Sequence, residues 1–254
     1  VKDLILATTT STQDSGLLDV LIPAFEKKTG YRVKTVAVGT GQALAMGEKG
    51  EADVLLVHAP AAENKVEASG AAINRKLVMH NDFIIIGPAA DPAKVKGQAT
   101  DATMAAIAKA QAPFVSRGDD SGTDKMEKSL WKKINIKPAG SWYYEVGAGM
   151  GQTLAVANEK QGYTLTDRAT YLAQKQNLNL QILVEGDAKL LNIYHVMEVN
   201  PEKFAKVNKD GAKAFSDFVL SEEGQKMIAA FGQDKFGQPL FFADGGKTDQ
   251  DFGI

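Results

Sequence analysis

The sequence predicts an α/β fold with two lobes, each built on a mainly parallel sheet flanked by helices. Three observations carry this prediction. Short apolar runs alternate with segments whose apolar residues recur at helical spacing. The alternation breaks off after residue 57 and restarts at Phe83. Glycine- or hydroxyl-rich junctions follow several of the strands. We expect residues 1–85 and 190–254 to form lobe I and residues 86–189 to form lobe II, an insertion joined by two hinge crossings.

Lobe I opens with a β-α-β-α-β pattern, which is typical of a parallel sheet with right-handed crossovers. The apolar run at residues 4–7 predicts a buried strand. Apolar residues from Leu17 to Phe25 then follow helical spacing, with Pro23 expected to kink that helix and Gly30 to end it. The remaining elements expected before the break are strand 31–38, a turn at 39–41, helix 42–49 and strand 53–57.

The pattern resumes in lobe II and returns to lobe I at its end. The expected strands are 83–87, 114–116, 142–146, 163–165 and 180–184. The expected helices are 101–110, 124–134, 152–160 and 168–175. An apolar return segment at 190–199 precedes a helical end from 203 to 231. Trp131 and Trp142 fall within these patterns, so we expect them to be packed in a core.

The composition excludes several classes of function. With 29 basic and 31 acidic residues the net charge is −2, which supplies no basic field for nucleic acid. The absence of cysteine excludes disulfides and thiolate metal sites. No apolar run is long enough to span a bilayer. Because the sequence opens directly on a strand, we expect a processed form whose signal peptide has been removed.

Four expected strand-to-helix junctions are rich in hydroxyls or glycines. They are residues 8–12, 39–41, 116–123 and 147–151. In open α/β sheets ligands bind at this edge, where helix N-termini present free N–H groups. Hydroxyls donate hydrogen bonds, glycines let the backbone come close, and Arg117 can form two bonds to an oxyanion. The set suits a small tetrahedral dianion.

Each junction alone also has a purely structural interpretation. Hydroxyls before a helix serve as N-caps, and the 39–41 segment is a turn. Arg117 has structural partners close by in Asp119 and Asp120. The oxyanion hypothesis therefore rests on the conjunction of the four junctions.

Catalytic and cofactor patterns are few. The three histidines have no metal-ligand spacing, so we expect no cation site. A phosphate-ester hydrolase using Ser11 and His58 stays open as an alternative. A dinucleotide site at Gly147 and Gly149 is also open, although Gln152 stands where the third glycine is expected.

Several motifs together resemble the periplasmic tungstate-binding proteins of ABC-type tungstate importers, which are type II solute-binding proteins. The similarity runs nearly end to end and is carried by Thr-Thr-Thr-Ser-Thr at 8–12, Ile-Pro-Ala-Phe-Glu-Lys-Lys-Thr-Gly at 22–30, Val-Gly-Thr-Gly-Gln-Ala-Leu at 38–44, Ser-Arg-Gly-Asp-Asp-Ser-Gly-Thr at 116–123, Gly-Met-Gly-Gln-Thr-Leu at 149–154 and Tyr-Thr-Leu-Thr-Asp-Arg-Ala-Thr-Tyr at 163–171.

This resemblance implies a type II periplasmic-binding-protein fold whose two lobes close on an oxyanion and deliver it to a membrane permease. It also implies which residues bind the anion. Lobe I would supply Thr9, Thr10, Ser11 and Thr40. Lobe II would supply Arg117, Ser121, Gly122 and Thr123. Tungstate, with molybdate as a second ligand, would be the solute.

His58 stands where the related phosphate receptors place a carboxylate that accepts the proton of hydrogen phosphate. Tungstate and molybdate carry no proton at neutral pH, so a histidine there favours a fully deprotonated anion. The expected protein is a monomeric, non-enzymatic receptor without cofactor, periplasmic or anchored at the cell surface. Phosphate or sulfate reception and a sensor domain of a larger chain stay open as alternatives.

Overall fold

The computed structural model describes residues 2–254. In its first strand, β1, the apolar residues of the sequence are buried. Strand β1 pairs in parallel with β2 through the register Asp3↔Arg32 and with β3 through Leu6↔Val54. Leu4, Leu6 and Ala7 of β1 are fully buried. A strand covered by neighbours on both edges and by helices on its faces has to be apolar, as this one is.

Regular elements alternate along most of the chain. In chain order the strands are β1 (Asp3–Thr9), β2 (Arg32–Val38), β3 (Val54–Val57), β4 (Ala72–Pro88), β5 (Phe114–Ser116), β6 (Tyr143–Glu145), β7 (Tyr163–Asp167), β8 (Leu180–Val184), β9 (Leu191–Val199) and β10 (Phe242–Ala243). The helices are α1 (Thr10–Asp14), α2 (Leu18–Thr29), α3 (Thr40–Glu48), α4 (Pro60–Ala68), α5 (Thr100–Ala110), α6 (Gly122–Lys133), α7 (Met150–Lys160), α8 (Arg168–Gln174), α9 (Lys209–Leu220), α10 (Glu222–Ala230) and α11 (Gln233–Phe236).

The chain forms two compact units. Unit 1 consists of the chain up to Asn81 together with Asn192–Ile254, and unit 2 is Asp82–Leu191. The chain passes from unit 1 to unit 2 within β4 and returns at the start of β9. Because β4 is one strand of 17 residues, its crossing falls inside a strand, whereas the sequence predicted only residues 83–87 as strand.

Unit 1 contains a mixed sheet in the order β2-β1-β3-β9-β4. Strands β1, β2 and β3 are parallel to one another, whereas β9 runs antiparallel to β3 and β10 antiparallel to β4. The carboxyl ends of β1 and β2 meet at the pair Thr9↔Val38. The hydroxyl-rich junction after β1 and the glycine-rich junction after β2 therefore begin at the same sheet edge.

Some helices of unit 1 lie where the sequence predicted them and others do not. Helix α2 contains Pro23 and ends at Gly30, which adopts φ 81°, as predicted. The sequence did not predict helix α4, because Pro60–Ala68 contains one large apolar residue, Val66, and therefore shows no apolar period. The expected helical end from 203 to 231 is confirmed in part. It starts only after the cap at Asn208, and Ser221 interrupts it with extended backbone and caps α10 by accepting from Gly224 N.

Unit 2 contains strands in the order β4-β7-β5-β6, with β8 also pairing with β4. Strand β5 is parallel to β6 and β7, and β4 is antiparallel to β7 and β8. Its core includes Phe114 and Trp131, and Trp131 is 1% exposed. Trp142 packs edge-on against Trp131 at 5.8 Å between ring centroids. The prediction that both tryptophans pack in a core is confirmed.

Within residues 2–254, no helix combines the length and apolar character needed to cross a membrane.

Candidate anion-binding site

The hydroxyl run, residues 8–12, contains the N-cap of a helix. Thr9 is the last residue of β1 and the N-cap of α1, and its Oγ1 accepts a hydrogen bond from Thr12 N at 3.3 Å. The Thr12 hydroxyl lies 2.7 Å from the same Oγ1 atom. Thr9 is only 3% exposed, while Thr10 and Ser11 are exposed. One hydroxyl of the run therefore organises the turn, and the next two face solvent.

His58 follows β3 directly and bonds to this run. Its Nε2 atom lies 2.9 Å from Thr9 Oγ1, and its Nδ1 atom lies 2.9 Å from Asn192 Oδ1. Withdrawal from solvent lowers the pKa of His58, although the hydrogen bond to Asn192 and the charge of Glu63 act in the opposite direction. His58 is therefore a neutral imidazole at neutral pH.

The arrangement bears on the hydrolase alternative. Ser11 Oγ has its hydrogen bond with Thr9 Oγ1 at 3.2 Å, and His58 bonds to Thr9. A serine nucleophile needs a base at its own oxygen. The structure brings His58 to the neighbouring threonine instead.

Thr40 opens α3, immediately after Gly39 at the N-cap. A Cβ atom added at Gly39 or at Gly41 would meet no atom within 4 Å. Packing therefore does not require glycine at either position, and the bare backbone leaves the first N–H groups of α3 accessible. These N–H groups have no acceptor within the helix.

In unit 2, Asp119 holds two of the expected anion donors. Arg117 Nη2 donates to Asp119 Oδ2 at 2.6 Å, and Ser121 Oγ donates to Asp119 Oδ1 at 2.6 Å. Desolvation opposes ionisation, but the bonds from Ser121 and Arg117 lower the pKa of Asp119. Asp120 is exposed and lies 4.0 Å from Lys125, so of the two expected partners of Arg117 only Asp119 pairs with it.

The guanidinium is only partly satisfied by this pair. Arg117 Nε is buried and has no hydrogen-bond partner among residues 2–254. A buried N–H of a charged group without an acceptor is costly. The Arg117 side chain therefore has donor capacity that the chain itself does not use.

Asp124 shapes the loop that carries Arg117. Its Oδ1 accepts from Gly118 N at 2.9 Å and its Oδ2 from Asp120 N at 3.1 Å. Gly118 has φ 60°, and a Cβ atom there would lie 2.9 Å from Glu145 Cβ. Only glycine fits this position without displacing Glu145.

A second buried carboxylate supports the base of the loop. Glu127 accepts hydrogen bonds from Ser116 Oγ, from Trp131 Nε1 at 2.7 Å and from Tyr143 Oη at 2.7 Å. Burial raises the pKa of Glu127. Lys128 donates to Ser116 Oγ at 3.0 Å. These contacts fix the residue directly before Arg117.

The last expected donors lie at the N-terminus of α6. Ser121 is its N-cap and accepts from Asp124 N, and Gly122 and Thr123 form the first turn. Adding a Cβ at Gly122 would meet nothing within 4 Å. The first-turn N–H groups and the positive end of the helix dipole favour an anion near these residues.

The glycine-rich junction at 147–151 has a structural role in unit 2. Gly147 N donates to the backbone oxygen of Arg117 at 2.7 Å. Gly149 then caps α7 without a side-chain bond. This junction therefore helps to fix the Arg117 loop.

Within each unit the structure thus brings the expected residues together. Thr9, Thr10, Ser11 and Thr40 share one sheet edge in unit 1, and Arg117, Ser121, Gly122 and Thr123 share one loop and helix start in unit 2. Sequence reasoning missed Asn192, Asp124 and Glu127.

No group of acidic and histidine side chains in residues 2–254 is arranged to hold a metal cation.

Comparison with known proteins gives the family. The PBP superfamily domain model matches residues 1–223. The tungstate-binding protein TupA of Peptoclostridium acidaminophilum is 52% identical over 96% of this chain and 86% of that protein. TupA of Campylobacter jejuni is 44% identical over 95% of this chain and 90% of that protein.

Solved structures agree. The tungstate-binding protein TupA from Desulfovibrio alaskensis G20 is 49% identical, with a TM-score of 0.90 over 96% of this chain and all of that one. The tungstate ABC transporter structure from Geobacter sulfurreducens is 48% identical, with a TM-score of 0.73 over 91% of this chain and 99% of that one. The expected fold is confirmed, and the chain belongs to the PBP superfamily and, within it, to the family of the TupA tungstate-binding proteins.

Proposed function

We propose that this protein is the extracytoplasmic solute receptor of an ABC importer, that it captures tungstate and also molybdate, and that it delivers the anion to a membrane permease. The donors in each unit carry the proposal. Unit 1 offers Thr10, Ser11 and Thr40, with Thr9 capping their turn, and unit 2 offers Arg117, Gly122 and Thr123, with Ser121 capping α6. Each set consists of hydrogen-bond donors of the kind that an oxyanion needs. The names of the relatives point to the same solute.

The unused donor capacity of Arg117 is the single most informative observation. No described residue, from Lys2 to Ile254, accepts from its buried Nε, and its Nη2 donates to Asp119 at 2.6 Å. A dianion carries several acceptor oxygens, so it would satisfy this N–H, while Asp119 keeps its ion pair with the guanidinium. Hydroxyls and backbone N–H groups add further donors to the set.

A donor set suits a fully deprotonated anion. Hydrogen phosphate has a proton of its own and needs an acceptor in the site, whereas tungstate and molybdate need only donors. We infer from the resemblance to the phosphate receptors that His58 stands where they have that acceptor, and its Nε2 is already bonded to Thr9. This supports tungstate and molybdate over phosphate.

The proposed receptor is a binding protein without cofactor or catalysis, and it acts as a monomer in the periplasm or anchored at the cell surface. The bond between His58 and Thr9 leaves Ser11 without a base partner, which supports binding over hydrolysis. Turnover of a generic phosphate ester that disappears in Ser11→Ala would contradict this part.

Calorimetric titration of ligand-stripped protein tests the solute. Tungstate, molybdate, sulfate and phosphate are compared side by side near neutral pH. We expect one site per chain for tungstate, with a Kd at or below about 1 nM, which is about −12 kcal/mol. We expect weak binding of sulfate and phosphate. Tight phosphate binding without tungstate binding would overturn the proposed solute, and no binding of any of the four anions would overturn the receptor function.

Two alanine variants test whether both units serve one anion. Ser11→Ala changes unit 1 only and Arg117→Ala changes unit 2 only. Both should weaken the same single binding event. A variant in one unit that leaves the affinity unchanged would show that the anion uses the other unit alone.

A further inference from the structure

The side chain of Asn192 determines where the proton of His58 lies. Asn192 is the first residue of unit 1 after the return crossing, and its Oδ1 lies 2.9 Å from His58 Nδ1. Its Nδ2 lies 3.5 Å from Tyr194 Oη, on the other side of the amide. An amide oxygen only accepts, so His58 Nδ1 must carry a proton and donate it.

A neutral imidazole with a proton on Nδ1 has a bare Nε2. That atom lies 2.9 Å from Thr9 Oγ1, and a bare ring nitrogen only accepts. The Thr9 hydroxyl therefore donates its single proton to His58. The lowered pKa of His58 agrees with the neutral form.

The direction of this bond fixes the direction of the next ones. With its proton given to His58, Thr9 Oγ1 acts only as an acceptor for its other neighbours. It accepts from Thr12 N at 3.3 Å, and the contact of 2.7 Å with Thr12 Oγ1 must be a donation from Thr12. Thr9 Oγ1 also lies 3.2 Å from the exposed Ser11 Oγ, and because Thr9 has no proton left for this bond, Ser11 is its donor. Ser11 therefore accepts no hydrogen bond from Thr9, and an incoming anion competes only with Thr9 Oγ1 for the Ser11 proton.

We propose that Asn192 and His58 are positioning residues that orient the hydrogen bonds of the hydroxyl run, so that these bonds run from Thr12 through Thr9 to His58. The exposed hydroxyl of Ser11 is then always a donor toward Thr9, so that it can turn its proton to an incoming anion, and the exposed hydroxyl of Thr10 donates beside it. Thr9 and Thr12 hold the turn in shape and do not compete for its oxygens. This proposal rests on the proposed function, because it deepens the account of the same site.

The first test observes the tautomer directly in the unmodified protein. Two-bond ¹H–¹⁵N correlation spectra of ¹⁵N-labelled protein at neutral pH distinguish protonated from bare ring nitrogens. The His58 signals are identified by their loss in His58→Phe. We expect a protonated Nδ1 and a bare Nε2, and in Asn192→Leu a loss of this preference. A protonated Nε2 in the unmodified protein would overturn the proposal.

The second test is a double-mutant cycle on tungstate affinity. His58→Phe keeps a ring against Tyr194, whose centroid is 4.6 Å from that of His58, and removes both nitrogens. We expect about a tenfold rise in Kd for His58→Phe, and about a three- to tenfold rise for Asn192→Leu. Because Asn192 acts through His58, the double variant should bind no more weakly than His58→Phe alone.

His80→Phe is the matched control. His80 is another half-buried histidine of unit 1, and its Nδ1 bonds Asp244 Oδ2 at 2.6 Å, separate from the hydroxyl run. Its variant should bind tungstate within about twofold of the unmodified protein. Additive losses in the cycle, or an equal loss in the control, would show a general structural effect and overturn the positioning role. If the unmodified protein binds no oxyanion, the proposed function fails, and the spectra still decide the His58 tautomer.

Discussion

Replacing Asp124 by asparagine should loosen the Arg117 loop by a calculable amount. The Asp124 carboxylate is buried and accepts from Gly118 N at 2.9 Å and Asp120 N at 3.1 Å, each through a different oxygen. In Asp124→Asn one of these oxygens becomes an NH₂ group that faces a backbone N–H. One hydrogen bond to a charged acceptor is lost, and such bonds contribute about 1.5–3 kcal/mol.

The ion pair between Asp124 and Lys128, at 3.2 Å, adds less than about 1 kcal/mol because the lysine is partly exposed. We therefore expect the free energy of unfolding to fall by about 1.5–4 kcal/mol. Urea unfolding followed by circular dichroism measures it, as a lower midpoint with an unchanged slope. Tungstate affinity should fall as well, since the same loop holds Arg117.

Asp120→Asn is a matched control within the same loop. Asp120 is exposed, lies 4.0 Å from Lys125 and has φ 58°, a conformation that asparagine tolerates as well as aspartate. Its unfolding free energy should stay within about 0.5 kcal/mol of the unmodified protein. If the two variants unfold at the same urea concentration, the role assigned to the Asp124 carboxylate is refuted.

Three further outcomes are expected. Arg117→Ala should raise the tungstate Kd about ten- to hundredfold by calorimetry, because charge-assisted bonds are lost, and an unchanged Kd would remove Arg117 from the site. The His58 pKa is lowered by folding, so below its ordinary value near 6.5 the unfolded chain binds more protons there, and stability falls with falling pH until both states are protonated. When the free energy of unfolding is measured with urea between pH 5 and 7.5, it should depend less steeply on pH in His58→Phe than in the unmodified protein. The same pH dependence in both proteins would contradict this. Gly118→Ala should lower the unfolding free energy by about 1–3 kcal/mol through its φ of 60° and the Glu145 contact, whereas Gly122→Ala, with open space at its Cβ, should change it by less than about 0.5 kcal/mol.

The regular elements could be predicted where apolar periodicity is strong. Helix α2 ends at Gly30 as expected, because a residue with φ 81° there favours glycine. The full length of β4 could not be predicted. Its residues 74–76 and 80–82 are polar and at least partly exposed for the most part, so they interrupt the apolar signal, and pairing with neighbouring strands joins the pieces into one strand. The interruption between α9 and α10 at Ser221 could not be predicted either. It depends on the Ser221 side chain accepting from Gly224 N, although the residues on both sides favour a helix.

The donors of the candidate site could be predicted because they sit in local motifs at strand ends. Of the residues that support them, only His58 was singled out from the sequence, and its partner was not. His58 and Asn192 are separated by 134 residues, and no local pattern connects them. Asp124 and Glu127 read as ordinary charged positions of a helix, and only the fold shows that each is buried against the loop before it.

Both tryptophans of the chain lie in unit 2, and this gives the protein a built-in optical reporter of one half of the molecule. Trp131 Nε1 donates to Glu127, the carboxylate that also bonds Ser116 beside Arg117. Indole emission is therefore connected through two hydrogen bonds to the residue next to the guanidinium. Changes at the Arg117 loop should shift the tryptophan emission, whereas unfolding of unit 1 alone should leave the emission nearly unchanged. Intrinsic fluorescence thus follows unit 2, and a probe placed in unit 1 would follow the other half separately.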